Sequence, residues 1–85
     1  METVYFIGID VSKKKLDSAL TIDGKNYHQD ELENTSNGIQ IFFRDMKKMF
    51  GMKPSQMIVC MEHTGIYCLP LLDFLLKNSI KVCLE

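Results

Sequence analysis

The sequence predicts a small α/β domain built on a mixed five-stranded sheet. Three observations lead to this prediction: two unbroken apolar runs typical of buried strands, an alternating segment that ends in an Asp-Gly turn, and a segment with a helical apolar repeat. The chain has 85 residues, of which 46% are hydrophobic and 25% charged, and its formal net charge is −1. These values are ordinary for a globular domain and exclude a strongly charged disordered tail.

The first 33 residues predict three strands. Residues 4–9 form a continuous apolar run, which is typical of a strand buried on both faces. Residues 16–23 alternate between apolar and polar side chains, which predicts a second strand. Asp23 and Gly24 form a two-residue hairpin signal, so the polar residues 25–33 should return as a third strand at the edge of the sheet.

The rest of the chain predicts two helices and two more strands. After a loop at residues 34–38, apolar residues recur at helical spacing: Ile39, Phe42, Phe43, Met46, Met49 and Phe50. Gly51 suits the end of this helix, and Pro54 prevents its continuation. Residues 57–61 predict a fourth strand, residues 66–78 a second helix and residues 80–84 a fifth strand. The inner stripe of the second helix should be Leu69, Leu72, Leu75 and Leu76.

The order of these elements predicts how the strands lie in the sheet. Three meandering strands are followed by two β-α-β crossovers, which are right-handed in nearly all proteins. The simplest sheet therefore has the order 3-2-1-4-5, with strand 2 antiparallel to strand 1 and strands 4 and 5 parallel to it. This is the ribonuclease-H-like topology.

Two acids stand at the ends of apolar strands in this arrangement. Asp10 and Glu62 each follow such a run, and the two strands should be parallel neighbours about 4.8 Å apart. Their carboxyl ends also lie at the switch point of the sheet, where ligands tend to bind. Adjacent carboxylates repel unless a proton or a cation neutralises them, and ligand sets made of oxygen favour Mg²⁺ or Mn²⁺. The alternative is that each acid only forms a turn or caps a helix.

The same residues carry a resemblance to a known family. Residues 8–17, GIDVSKKKLD, and residues 62–67, EHTGIY, resemble the two acidic motifs of the DEDD transposases of the insertion sequence 110 family and their Piv-type DNA invertase relatives. Residues 34–39 resemble the family's loop before the first helix, so the resemblance covers essentially the whole chain.

The resemblance implies a RuvC-like, ribonuclease-H-fold amino-terminal domain of a transposase that acts on DNA with a divalent metal. Asp10 and Glu62 match the first two of the family's four catalytic, metal-ligating acids. The resemblance places the other two acids and a carboxyl-terminal domain beyond residue 85, so residues 1–85 are expected to be a single truncated domain that is inactive alone. It also implies, for some members, a structured guide RNA. Because the truncated domain should leave one sheet face uncovered, self-association is expected, with a homo-oligomer in the full-length protein.

Several residues near the two acids are candidates for contact with nucleic acid. Lys13, Lys14 and Lys15 follow Asp10 and suit phosphate contacts, although a lysine triplet in a loop is also simply well solvated. Thr64 either caps the second helix or contacts substrate, and Tyr67 either stacks on a base or packs on the sheet. The direction of Asp17, at the start of strand 2, depends on its parity in the pleat.

The cysteines and the apolar runs bear on compartment and partners. Cys60, Cys68 and Cys83 are odd in number and lack a C-x-x-C spacing, which favours reduced thiols in a cytoplasmic protein. No apolar stretch reaches the roughly 18 residues that span a bilayer, so no membrane partner is expected.

Two other functional classes stay open at this point. Sugar kinases and actin-like ATPases also begin with a strand and an acid, but their phosphate-holding hairpins use Gly and Thr where this chain has three lysines. The second alternative is a non-catalytic module of this fold that binds nucleic acid or protein.

Overall fold

The computed structural model describes residues 3–62 and 65–84. Its five strands are β1 (Tyr5–Val11), β2 (Lys15–Ile22), β3 (Lys25–Glu33), β4 (Met57–Met61) and β5 (Lys81–Leu84). The two α-helices are α1 (Ser36–Phe50) and α2 (Leu69–Lys77), and short 3-10 turns at Pro54–Gln56 and Gly65–Cys68 precede β4 and α2. In the described part of the chain, neither helix has the length and hydropathy of a membrane-spanning segment.

The strands form one sheet in the order 3-2-1-4-5, which confirms the predicted ribonuclease-H-like arrangement. β1 is antiparallel to β2 and parallel to β4, and β5 is parallel to β4. Asp23 and Gly24 join β2 to β3 with φ values of 52° and 79°. A tight two-residue hairpin needs positive φ at both of these positions, which Asp tolerates and Gly adopts freely.

Both helices pack on the same face of the sheet and share one core. Phe43 of α1 stacks on Phe74 of α2 with ring centroids 4.9 Å apart, and the two helices therefore form one layer. The sheet contributes alternate side chains of its central strands to this core: Ile7, Ile9, Leu16, Leu20, Val59 and Met61.

The opposite face of the sheet is open in the described part of the chain. Phe6, near the start of the central strand β1, is 44% exposed on that face, and Gly8 and Asp10 further along the strand are exposed too. The prediction that the first strand is buried on both faces is therefore wrong for these residues. An apolar run indicates only that side chains on both faces of a strand can be buried. Which face is buried depends on where the helices pack, and here both pack on one face.

The start of α1 is tied closely to the end of β3. Thr35 is the N-cap, and its Oγ1 accepts a hydrogen bond from the backbone N of Gly38 at 3.0 Å. A Cβ on Gly38 would lie only 2.6 Å from the carbonyl oxygen of Glu33, so the close approach requires glycine. This packing fixes the path of Asn34, which lies between β3 and the cap.

The second helix differs from its prediction in both start and orientation. It begins at Leu69, because residues 65–68 form a 3-10 turn, and Pro70 lies in its first turn as expected. Leu71 and Leu75 are fully buried, whereas Leu69 and Leu76 are 54% and 66% exposed. The predicted stripe was therefore half wrong, since the turn before the helix rotates it relative to a helix starting at residue 66.

Candidate metal centre

Asp10 lies inside β1 and not after it, which corrects the sequence prediction. The pairing of β1 with β2 continues through Asp10 and Asp17 to Val11 and Leu16. Strand ends are set by backbone pairing, and here the pairing outlasts the apolar run by two residues. The backbone of Asp10 is consequently fixed by its pairing with Asp17 of β2.

Asp10 and Glu62 face the same side of neighbouring parallel strands. Gly8 of β1 pairs with Cys60 of β4, and both lie on the open face, opposite the buried Ile9 and Met61. Asp10 comes two residues after Gly8 within β1 and therefore shares its face, and Glu62 directly follows the end of β4. The sequence prediction that the two acids meet at one edge of the sheet therefore agrees with the strand register.

The two acids line one cavity on the open face, with a volume of about 710 Å³. Asp17 lines it as well, because it pairs directly with Asp10 across the β1–β2 ladder. Gly8 also lines the cavity, and a Cβ added there would meet nothing within 4 Å. Asp30 lines the cavity too, so four exposed acidic residues border the open space above the sheet.

The register answers a question that the sequence left open. The sequence did not show whether Asp17 points to solvent or toward the site, because the loop between β1 and β2 sets the register and hence the parity of Asp17 in the pleat. The structure places it opposite Asp10, on the same face.

The donor set suits a hard divalent cation. Asp10 and Glu62 offer only carboxylate oxygens, and Mg²⁺ is commonly held by one or two carboxylates together with water and substrate phosphates. Within residues 3–62 and 65–84, no three His, Cys, Asp or Glu side chains are gathered closely enough to hold a metal ion by themselves. Two carboxylates are fewer ligands than a metal ion needs, so Asp10 and Glu62 make up at most part of a metal site.

The three lysines after Asp10 differ in their surroundings. Lys15 begins β2, and its Nζ lies 2.9 Å from a carboxylate oxygen of Glu31. This hydrogen bond and the charge of Glu31 raise the pKa of Lys15, with a further contribution from the charge of Asp17. Lys13 and Lys14 are exposed, and neither forms a salt bridge with another described residue.

The loop after Glu62 carries the other candidates for nucleic-acid contact. Tyr67 lies in the turn Gly65–Cys68 and is 40% exposed, so its ring is not packed away in the core. Its carbonyl oxygen accepts a hydrogen bond from Nδ2 of Asn34 at 2.9 Å. Thr64 and its neighbour His63 lie outside the described residues.

Asn34 is the residue at this site that the sequence reasoning missed. Its side chain also donates to the carbonyl oxygen of Ser12 at 2.8 Å, in the loop that follows Asp10. The available signal was its place at the start of the NTSNGI segment, which marked a loop but gave Asn34 no role.

The topology and the paired acids define a ribonuclease-H-like α/β domain with a candidate metal-binding edge. The family model for the DEDD transposases of insertion sequence 110, described as a transposase, matches residues 7–85. The chain belongs to this transposase family. Comparison with curated proteins gives no match.

Solved structures resemble the chain in fold. A protein of unknown function with an actin-like ATPase fold, from Bacteroides thetaiotaomicron, matches with a TM-score of 0.74 and 13% identity over 96% of this chain and 32% of its own. A member of the Ppx/GppA family from Aquifex aeolicus matches with a TM-score of 0.48 and 12% identity over 99% of this chain and 35% of its own. The chain thus spans about a third of the length of these proteins, and at such identities the first likeness shows the fold alone.

Proposed function

We propose that the chain is the amino-terminal catalytic region of a transposase that breaks and rejoins the DNA of an insertion element with Mg²⁺ or Mn²⁺. Asp10 and Glu62 hold the ion in this proposal. The observation that carries it is that these two carboxylates, one within β1 and one directly after the neighbouring parallel strand β4, line one cavity in a member of a transposase family. The other two acids of the family's tetrad are proposed to follow this region in a longer chain.

A divalent ion at such a site stabilises the charge on the scissile phosphate and makes water or a hydroxyl a better nucleophile. The chain itself would contribute oxygen ligands from Asp10 within β1 and Glu62 directly after β4, and space for a phosphodiester above Gly8. Asp17 adds a negative charge opposite Asp10, which repels an anionic backbone and strengthens the attraction for a cation. Binding of DNA at this edge should therefore depend on the metal.

Strand cleavage at the ends of the insertion element should require a divalent cation. Removing the metal with EDTA should abolish cleavage by the transposase that contains this chain, because the carboxylates then repel the DNA backbone. Added Mg²⁺ or Mn²⁺ should restore cleavage in a gel assay with labelled element ends, whereas Na⁺ at equal ionic strength should not. Cleavage that persists in EDTA would contradict the proposal.

We also propose that the loop beside the site contacts the DNA backbone. Lys13 and Lys14 are the stronger candidates, because they are exposed and carry no salt bridge within the described part of the chain. Lys15 would have to share its charge with Glu31. Tyr67 presents an exposed ring on which a base or sugar can stack, and Thr64 remains a proposal from the resemblance alone.

Replacing Lys13 and Lys14 together with alanine should weaken DNA binding in a salt-dependent way. Each phosphate contact contributes about 0.9 to the slope of log K against log[salt], so the slope should fall by roughly 2 units. Fluorescence anisotropy over a salt series measures this slope. The control pair is Lys25 and Lys77, since Lys25 lies at the opposite end of β2 and β3 and Lys77 pairs with Asp73. Equal slopes for the two double variants would contradict the assignment.

The remaining partners are proposals of the same kind. Phe6 is exposed on the open face, and an exposed apolar side chain at the centre of a sheet favours contact with further protein, in keeping with a homo-oligomer. A structured guide RNA and a cytoplasmic location stay predictions from the sequence. The actin-like ATPase alternative shares the fold, but the lysine-rich loop and the family match favour the transposase.

A further inference from the structure

One side chain bridges the two loops that follow the candidate metal ligands. Asn34 lies directly after β3, and its Nδ2 donates hydrogen bonds to the carbonyl oxygens of Ser12 at 2.8 Å and Tyr67 at 2.9 Å. Ser12 comes two residues after Asp10, and Tyr67 comes five residues after Glu62. A single amide group therefore joins the segments that leave the two halves of the site.

The orientation of this amide is fixed by its partners. Both N–H groups of Nδ2 face carbonyl oxygens, so a flipped amide would set Oδ1 against two acceptors. Oδ1 itself is buried and has no hydrogen-bond partner among the described residues. The position thus uses both hydrogen-bond donors of asparagine. Neither aspartate nor serine supplies two such donors at this length.

The loop on the Asp10 side is itself held firmly. The backbone N of Ser12 donates to the carbonyl oxygen of Lys15 at 3.0 Å, and its hydroxyl donates to the same oxygen at 2.8 Å. The backbone N of Asn34 donates to the carbonyl oxygen of Lys14 at 2.9 Å. Asn34 is thus anchored to this loop by main chain and side chain, and its second amide hydrogen holds the turn containing Tyr67 against it.

We propose that Asn34 is a positioning residue that sets the spacing between the strand ends carrying Asp10 and Glu62. The proposal rests on the proposed metal site for its functional meaning, while the bridge between the two loops stands on the hydrogen bonds alone. Mutating a group that orients a metal ligand without touching the metal typically weakens metal binding by about 10- to 100-fold.

Three substitutions of Asn34 distinguish the effect of its hydrogen-bond donors from the effect of its size. Asn34→Asp keeps the shape but offers carboxylate oxygens to two carbonyl oxygens, Asn34→Ala removes the bridge, and the milder Asn34→Ser keeps one donor. The matched control is Asn37→Ala, because Asn37 is exposed in the first turn of α1 and makes none of these hydrogen bonds.

The experiment combines amide hydrogen exchange with Mn²⁺ titration of each folded variant. Exchange at residues 12–14 and 65–68 should be about tenfold faster in Asn34→Asp and Asn34→Ala, with Asn34→Ser between them and the wild type. The dissociation constant for Mn²⁺ should rise about 10-fold or more in Asn34→Asp and Asn34→Ala and by less in Asn34→Ser. Asn37→Ala should match the wild type in both measurements.

The possible outcomes separate this inference from the proposed function. A lower melting temperature with unchanged Mn²⁺ affinity of the folded protein would make Asn34 merely structural and overturn the inference. Wild-type behaviour of Asn34→Asp would overturn it too. If the unsubstituted chain binds no Mn²⁺, the metal site fails, and exchange alone then decides: faster exchange confined to both loops supports the bridge, and unchanged exchange overturns it.

Discussion

Replacing Asp10 with asparagine should lower transposition by the enzyme that contains this chain at least about a hundredfold. Asparagine keeps the size of the side chain and one oxygen but removes the charge that a divalent cation needs. Mutating a residue that only hydrogen-bonds to a metal ligand already lowers metal affinity or activity by roughly 10- to 100-fold. Loss of a direct ligand should therefore lower activity by at least the upper value. Glu62→Gln should behave alike, because its carboxylate faces the same cavity. A donor-plasmid excision assay in cells measures the effect.

The matched control for this prediction is Asp23→Asn. Asp23 is an exposed acid in the β2–β3 turn with φ of 52°, a conformation that asparagine also tolerates. This variant loses the same charge far from the cavity and should transpose like the wild type. Normal transposition by both Asp10→Asn and Glu62→Gln would instead favour the non-catalytic binding module.

Replacing Phe43 with alanine should destabilise the domain by about 3–5 kcal/mol. Phe43 is 1% exposed, stacks on Phe74 at 4.9 Å and meets the ring of Phe42 edge-on at 5.0 Å. Its removal leaves a cavity where α1 joins α2. Since native domains are stable by only about 5–15 kcal/mol, this loss is a large fraction of the total, and the variant should unfold at a markedly lower urea concentration. Urea denaturation followed by circular dichroism measures the loss.

The control for the core prediction lies on the same helix. Met49 is 58% exposed, so Met49→Ala should change the free energy of unfolding by less than about 0.5 kcal/mol. Similar stabilities for Phe43→Ala and Met49→Ala would mean that the shared helical layer does not hold the domain together.

The order of the elements could be predicted because local patterns and chain connectivity determine it. The alternation in β2, the Asp23-Gly24 turn and the apolar repeat of α1, apart from the exposed Met49, are local signals that the structure confirms. The orientation of α2 could not be predicted in the same way, because its leucines fill more than one face. The buried pair Leu71 and Leu75 is selected by the preceding 3-10 turn.

The site was predicted in part for a related reason. Asp10 and Glu62 could be placed near each other because parallel strands bring their carboxyl ends to one edge. Asp17 and Asn34 depend on features without a local pattern. Placing Asp17 requires the register of the β1–β2 ladder. Placing Asn34 requires knowing that two loops, 22 and 33 residues away in sequence, come close to it in the fold.

Paramagnetic broadening by Mn²⁺ tests the central claim most directly, because it locates even a weak site at single residues. Titration of the ¹⁵N-labelled chain should first broaden the amide signals beside Asp10, Asp17 and Glu62, and Asp10→Asn with Glu62→Gln should remove this selectivity. Asp23→Asn should leave the pattern unchanged. Broadening spread evenly over the surface acids, or a pattern that survives loss of both carboxylates, would contradict the metal centre.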